Sequence, residues 1–254
     1  MNGLRAFMRK ELTEIWRTWR LWVIPGMLVF FGVTSPIIAA ITPALVQSMT
    51  ASQPGVVVRL PPPSALDAYG QFVKNLSQFV LLAVVIAGAG VISGERASGT
   101  AILALTKPLS RGAFVIAKIL SQVALLVAAT ALGTAACLVV TAVVFDGGNA
   151  MGLAVAVALW LLYATLLVVV MTLFSAGLRS RGAAAGAGLA FYFLTLLAST
   201  WGPAARYSFL GLMGAMRDAM VGNAVSPGWL IATAVAAIVL GAVVAVWIFE
   251  RQEL

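Results

Sequence analysis

The stretch Ile92-Ser-Gly-Glu-Arg-Ala-Ser-Gly-Thr-Ala-Ile-Leu-Ala-Leu-Thr-Lys-Pro-Leu-Ser-Arg-Gly-Ala-Phe-Val-Ile-Ala-Lys118 decides how this chain is read. It is polar and helix-prone, and it lies between two long apolar runs. Most of what surrounds it is close to hydrocarbon in character. Of 254 residues, 62% are hydrophobic and only 9% are charged, where soluble domains carry about 25% charge. A water-soluble domain of this size has too little interior for so much apolar surface, so composition predicts a polytopic membrane protein. No long polar segment separates two apolar blocks, and one all-α transmembrane domain over residues 1–254 is expected.

Outward from that stretch, apolar length marks six candidate spans, each near the ~20 residues needed to cross the hydrocarbon core. They run over about Leu21–Val46, Phe72–Ile92, Ala113–Phe145, Met151–Gly177, Gly182–Thr200 and Gly228–Phe249. The first carries Pro25, Pro36 and Pro43, which predict a kinked or partly irregular helix. The third is over-long, and its first turns are expected to extend into water from Ser110 as N-cap.

Charge placement orients the spans. With both termini on one side, that side receives Arg5, Arg9, Lys10, Arg17, Arg20, Arg96, Lys107, Arg111, Lys118, Arg179, Arg181 and Arg251, twelve of the sixteen cations. Arg59, Lys74, Arg206 and Arg217 fall on the other. The positive-inside rule therefore predicts cytoplasmic termini, a cytoplasmic loop over 93–112, and a cell-membrane location. The first apolar run is about twice the length of a signal-peptide core, so an uncleaved span is expected there. Residues Leu4 to Trp22 place Leu4, Phe7, Met8, Leu12, Ile15, Trp16, Trp19 and Trp22 at three- and four-residue steps among basic residues. That pattern predicts a cytoplasmic interfacial helix over residues 1–20, its apolar face on the lipid.

Several function classes fall away on residue content. The chain contains no histidine, which removes imidazole acid–base chemistry and the usual zinc signatures, and no metal site is expected. Cys137 stands alone, so no intrachain disulfide forms. The net charge of +8 sits beside the spans and not on a basic, aromatic-studded soluble face, so no nucleic-acid partner is expected. Gly94-Glu-Arg-Ala-Ser-Gly99 has the glycine spacing of a phosphate loop. However, Thr100 stands where its lysine should be, and the preceding element is a membrane span. No catalytic residue and no cofactor is expected on this chain; ATP, if it drives the protein, binds another subunit.

What remains is a helix–turn–helix. Thr100 to Lys107 favours a short helix, Pro108 ends it, and Ser110 begins the next. Glu95 and Arg96 sit at the mouth of the second span, where a glutamate can cap, pair with a nearby arginine, or meet a partner's cation.

Ile92-Ser-Gly-Glu-Arg-x-x-Gly-Thr, followed by Lys107-Pro-Leu-Ser-Arg111 and then Lys118, resembles the first cytoplasmic loop of type-2 ABC transporter permeases. These are membrane subunits of exporters whose ATPase is a separate polypeptide. The likeness covers the whole chain: a basic N-terminal helix beginning near Arg9-Lys10-Glu11-Leu12, six spans, and this loop between the second and third. The resemblance implies that Glu95, Arg96, Gly99, Thr100, Lys107, Pro108, Ser110 and Arg111 couple to an ATPase, with Arg179 and Arg181 of the short Leu178–Arg181 connection as a second contact. It also implies two ATPase subunits carrying ATP and magnesium, a second permease subunit (homo- or heterodimer), and first and fifth spans that meet across the dimer.

The fifth span opens with Gly182, Gly186 and Ala190 at four-residue spacing, which permits close helix contact within the subunit or between two protomers. On the other side of the membrane, Arg59-Leu-Pro-Pro-Pro63 is stiff. Ser64-Ala-Leu-Asp67 reads as a helix start that leads into an interfacial cap or a gate. The connection 201–227 is semi-apolar, and short re-entrant or interfacial helices are expected in it; the resemblance implies that they close the outer end of the pathway.

No Asp, Glu, Lys or Arg falls at the centre of a span, which argues against an ion-coupled carrier. Thr130, Thr134, Tyr163, Thr172, Tyr192 and Thr195 supply hydroxyls that either line a path or bond the helix backbones. The expected function is an ATP-driven exporter permease for an amphipathic or lipophilic cargo, embedded among membrane lipids. A membrane assembly or signalling subunit that uses ATPase motion without passing cargo is the alternative.

Overall fold

The structure, a computed structural model, describes residues 19–50, 61–99, 110–223 and 227–252, and all regular structure among them is helical. The first span is α1 (Trp19–Thr50). The second is assembled from α2 (Ala65–Asn75), a π-helical turn (Leu76–Val80), α3 (Leu81–Gly88) and α4 (Ser93–Ala97). Then come α5 (Arg111–Phe145), α6 (Ala150–Gly177) and α7 (Arg181–Ala198). A short pair, α8 (Gly202–Tyr207) and α9 (Leu212–Val221), is joined by a 3-10 turn (Phe209–Gly211) and precedes α10 (Gly228–Glu250). Six of these runs are long and apolar enough to cross a membrane, and they match the six expected spans to within a few residues, except that the second begins earlier, at Ala65. The amphipathic stretch before Trp19, the helix expected over Thr100–Lys107, and Pro108 lie outside the described residues.

The partly irregular first span does not appear: α1 is one continuous helix with Pro25, Pro36 and Pro43 inside it. A membrane helix tolerates the carbonyls freed by proline when packing and side chains compensate. Here α1 lies along α5 with almost no space between their backbones. A Cβ built at Gly133 would stand 2.7 Å from the Leu28 carbonyl oxygen, and one at Gly32 would collide with the Gly133 carbonyl. Glycine at both positions lets the backbones touch.

The fourth span, α6, is the axis of the bundle. Leu153, Trp160, Tyr163, Leu166 and Leu167 on it are fully buried. The hydroxyl groups are mostly absorbed by helix backbones. Tyr163 hydrogen-bonds Thr195 at 2.7 Å, Thr195 donates to the Tyr192 carbonyl, and Thr172 donates to Val168. Tyr192 reaches across to the Ser77 carbonyl at 2.7 Å, an oxygen in the π-helical turn where the ordinary ladder is disturbed. Thr130 and Thr134 bury their hydroxyls without a partner.

Serine and asparagine caps fix where the helices start. Ser64 and Asp67 form the capping box of α2, with Asp67 accepting from the Ser64 amide at 2.9 Å. Ser110 accepts from Ala113 N–H at 3.2 Å and begins α5 as expected. Asn149 and Ser180 do the same for α6 and α7. Each supplies an acceptor to first-turn amides that have none within the helix.

On α7, the stripe Gly182, Gly186 and Ala190 faces away from the subunit. A Cβ at Gly182 or Gly186 would meet none of the described residues within 4 Å. The packed side is Ala184, Gly188, Tyr192 and Thr195, and Gly188 is the position that Met171 of α6 presses on. Among the described residues the packing within the subunit falls to Gly188 and not to the stripe. At the end opposite residue 252, α8 and α9 are the short helices expected between the fifth and sixth spans. α9 lies against α6, where a Cβ on Gly152 would be 2.8 Å from the Ala219 carbonyl oxygen.

Candidate functional site

At the end of the bundle that holds Gln252, the second span breaks. The ladder stops after Gly88, four residues form a turn, and α4 resumes at Ser93. A break in a buried segment exposes backbone groups that must find partners. Ser175 supplies most of them, and the Ser93 hydroxyl adds a second donor to the Ala89 carbonyl at 3.1 Å. Ser175 near the end of α6, fully buried, accepts from the Ile92 and Ser93 amides at 2.9 and 3.0 Å and donates to the Ala89 carbonyl at 3.0 Å.

Four elements are tied together just beyond this point. Glu95 on α4 forms an ion pair with Lys118 on α5, with both side chains largely withdrawn from solvent at 12% and 6% exposure. Lys118 also lies over the Phe114 ring, 5.5 Å from its centroid, and Phe114 stacks on Phe249 of α10 at 5.3 Å. Arg96 donates to the Leu178 carbonyl at 2.8 Å and to the Gln252 side chain. Gln252 in turn donates to the Ala176 carbonyl at 2.8 Å. Arg111 donates to the carbonyls of Glu250 and Gln252 at 3.0 and 2.7 Å.

The two arginines thus satisfy terminal carbonyls of α6 and α10, where a cation also complements the helix dipole. A small apolar cluster that includes Val91, Ile92, Phe114, Ala176 and Phe249 lies beneath them. The ends of the second, third, fourth and sixth spans therefore meet in one polar joint over a dry floor.

The phosphate-loop-like glycines have packing reasons. The Arg181 side chain crosses the break, and a Cβ on Gly94 would stand 2.7 Å from its Nε and Nη2 atoms; one on Gly90 would be 3.1 Å from its Cδ. Gly99 ends α4 with φ +72°, the left-handed conformation that favours glycine after a helix. The Gly-x4-Gly spacing here records one close approach and one helix stop.

The expected site residues divide accordingly. Glu95, Arg96 and Arg111 converge on the joint, and Arg181 folds over its glycines. Ser110 and Arg179 are exposed at its edge and Gly99 is half-exposed. Thr100, Lys107 and Pro108 lie outside the described residues. Lys118, Ser175, Gly94 and Gln252 belong to the joint but were not among the expected site residues. Lys118 was legible as a cation in an apolar run; Ser175 was not, because a serine in a span carries no signal of which distant backbone it will serve.

Six apolar helical spans with a polar joint at one end define a multi-pass membrane protein. This chain belongs to the ABC-2 family of transporter proteins, whose family model matches residues 5–254. It is a membrane permease subunit of an ABC transporter, a class that is typically not itself catalytic and implies a partner ATPase subunit. The chain is also similar to YxlG, an uncharacterized transmembrane protein of Bacillus subtilis (strain 168), at 24% identity over 266 residues that span 100% of this chain and 99% of that one.

Proposed function

We propose that this chain is the permease of an ATP-driven exporter, moving an amphipathic or lipophilic substrate out of the cell. Both termini and the joint face the cytoplasm, as the twelve-to-four division of cations supports. Two ATPase subunits hold all the ATP and magnesium, and two permease subunits pair above them. The observation that carries this reading is the joint itself. The segment that resembles the family's coupling loop is flanked by Glu95, Arg96 and Arg111, and each of these is bonded to a different span or helix end. A displacement of that loop therefore moves several spans together. Packed and hydrogen-bonded contacts of this kind favour discrete rearrangements over gradual bending.

Glu95, Arg96 and Arg111 then transmit motion, whereas Gly99, Thr100, Lys107, Pro108, Ser110, Arg179 and Arg181 offer the surface that the ATPase presses. The open stripe Gly182, Gly186 and Ala190, continued by exposed Phe193, Leu194 and Leu197, faces the second permease. The test is reconstitution in vesicles with the cognate ATPase. ATP-dependent movement of a lipophilic probe that stops when the ATPase is omitted is the expected result. Nucleotide turnover without movement of any probe in a broad lipophilic panel would favour an assembly or signalling subunit.

A further inference from the structure

A cavity of about 650 Å³ opens between α8, α9 and the start of α10, at the end of the bundle opposite the joint. Its size falls within the range of small-molecule sites. Arg206, Arg217 and Asp218 line it, together with Gly202, Gly214 and Leu230. Among the described residues, no ion pair consumes either arginine or the aspartate. Arg206 lies over the Tyr207 ring, 5.6 Å from its centroid, which restrains its guanidinium. Among the described residues the Asp218 carboxylate accepts one long side-chain bond, from Asn223 Nδ2 at 3.5 Å. The glycines leave room: a Cβ at Gly202 or Gly214 would meet none of the described residues within 4 Å.

The surroundings set the depth. Trp201, Tyr207 and Trp229 are exposed by 67%, 57% and 68% around these helices. Tryptophan and tyrosine favour the boundary between hydrocarbon and headgroups. A concave site at that boundary, with two guanidinium groups and one carboxylate, matches a ligand that carries a phosphate and an amine on one short headgroup. Arginine is well suited to phosphate through its planar fork of donors. The carboxylate beside Arg217 provides for an ammonium and repels a second anion.

We propose that this cavity binds the headgroup of an aminophospholipid, its phosphate on Arg206 and Arg217 and its ammonium on Asp218. Placing it in the outer leaflet rests on the topology given under Proposed function; the headgroup chemistry does not.

The full chain, without any ATPase, is reconstituted in nanodiscs of equal phosphatidylethanolamine and phosphatidylglycerol, released in mild detergent, and its retained lipid is counted by native mass spectrometry. Phosphatidylethanolamine is expected to be enriched at least about three-fold over phosphatidylglycerol. Arg206→Gln and Arg217→Gln should each lower retention about ten-fold, the scale of one lost charge-assisted bond. Asp218→Asn should erase the preference between the two lipids. Gly214→Leu should reduce retention with the melting temperature unchanged, which separates filling the cavity from unfolding.

Retention in the bulk ratio, enrichment of phosphatidylglycerol, or wild-type retention in all four variants would overturn the proposal. Soluble glycerophosphoethanolamine should compete weakly; complete displacement at micromolar concentration would assign the cavity to a soluble phosphate ester and overturn the lipid. Because no ATPase is present, the outcome is independent of whether the chain exports cargo.

Discussion

Ser175 donates its hydroxyl hydrogen to the Ala89 carbonyl oxygen at 3.0 Å, so the fourth span closes the gap in the second. The Ser175 hydroxyl oxygen itself accepts from the Ile92 and Ser93 amides. Ser175→Ala would take this partner from the two amides in a buried place, while the Ala89 carbonyl keeps the Ser93 hydroxyl at 3.1 Å. A loss of about 1–3 kcal/mol is expected for orphaned groups of this kind. Thermal unfolding in detergent reads it as a lowered midpoint, and an unchanged midpoint would mean that the break finds other partners.

Glu95 and Lys118 form a largely buried ion pair, and such pairs are most costly when half-removed. Glu95→Gln or Lys118→Met alone should destabilise by about 3 kcal/mol, and the double variant by less than the sum of the two singles. A double-mutant cycle on unfolding midpoints checks this; additive effects would show that the two side chains act separately. Charge reversal at Glu95 thus disturbs the joint before it disturbs any partner. Arg179, exposed at the edge, is the cleaner probe of docking: Arg179→Glu should weaken ATPase co-purification with the melting temperature unchanged.

Gly94→Ala drives a methyl group to 2.7 Å from Arg181 Nε. Arg181 is exposed and the atoms met are the far end of its side chain, so the arginine swings aside; we expect a loss of stability below about 1 kcal/mol that disappears when Arg181→Ala is added. An equal loss with and without Arg181→Ala would remove the close approach as the reason for this glycine.

Gly186 faces open space in the subunit. Gly186→Trp should leave the single subunit folded while it disrupts pairing of two permeases, as read by cross-linking or by mass in nanodiscs. A normal dimer with normal transport would place the second subunit elsewhere.

The six spans were legible because a membrane imposes a length on apolar sequence, and Ser64 and Ser110 were legible because caps are local. The two interruptions of the second span were not. Ala89–Ile92 is as apolar as its neighbours, and Ser77 and Gln78 in Leu76–Val80 carry no signal of a π-helical turn; distant groups, Tyr192 and Ser175, reveal why the backbone can depart from the α-helix there. The joint was half legible. Glu95, Arg96 and Arg111 stood out as charges in a hydrophobic chain, but their partners lie 23 to 156 residues away. Periodicity cannot encode such a meeting. Likewise, Gly182 and Gly186 resembled packing glycines, while the helix turned Gly188 inward because Met171 was there to meet it.

Because the second span is broken at Ala89–Ile92, it is not one rod. Ser175 of α6 holds the two sides of that break, bonding Ala89 on one and Ile92 and Ser93 on the other. α6 is also the helix against which α9 rests, at Gly152 and Ala219, and α9 carries Arg217 and Asp218 into the wall of the far cavity. The fourth span is thus a party wall: whatever shifts the rooms at one end of the molecule leans on the same partition that bounds the room at the other.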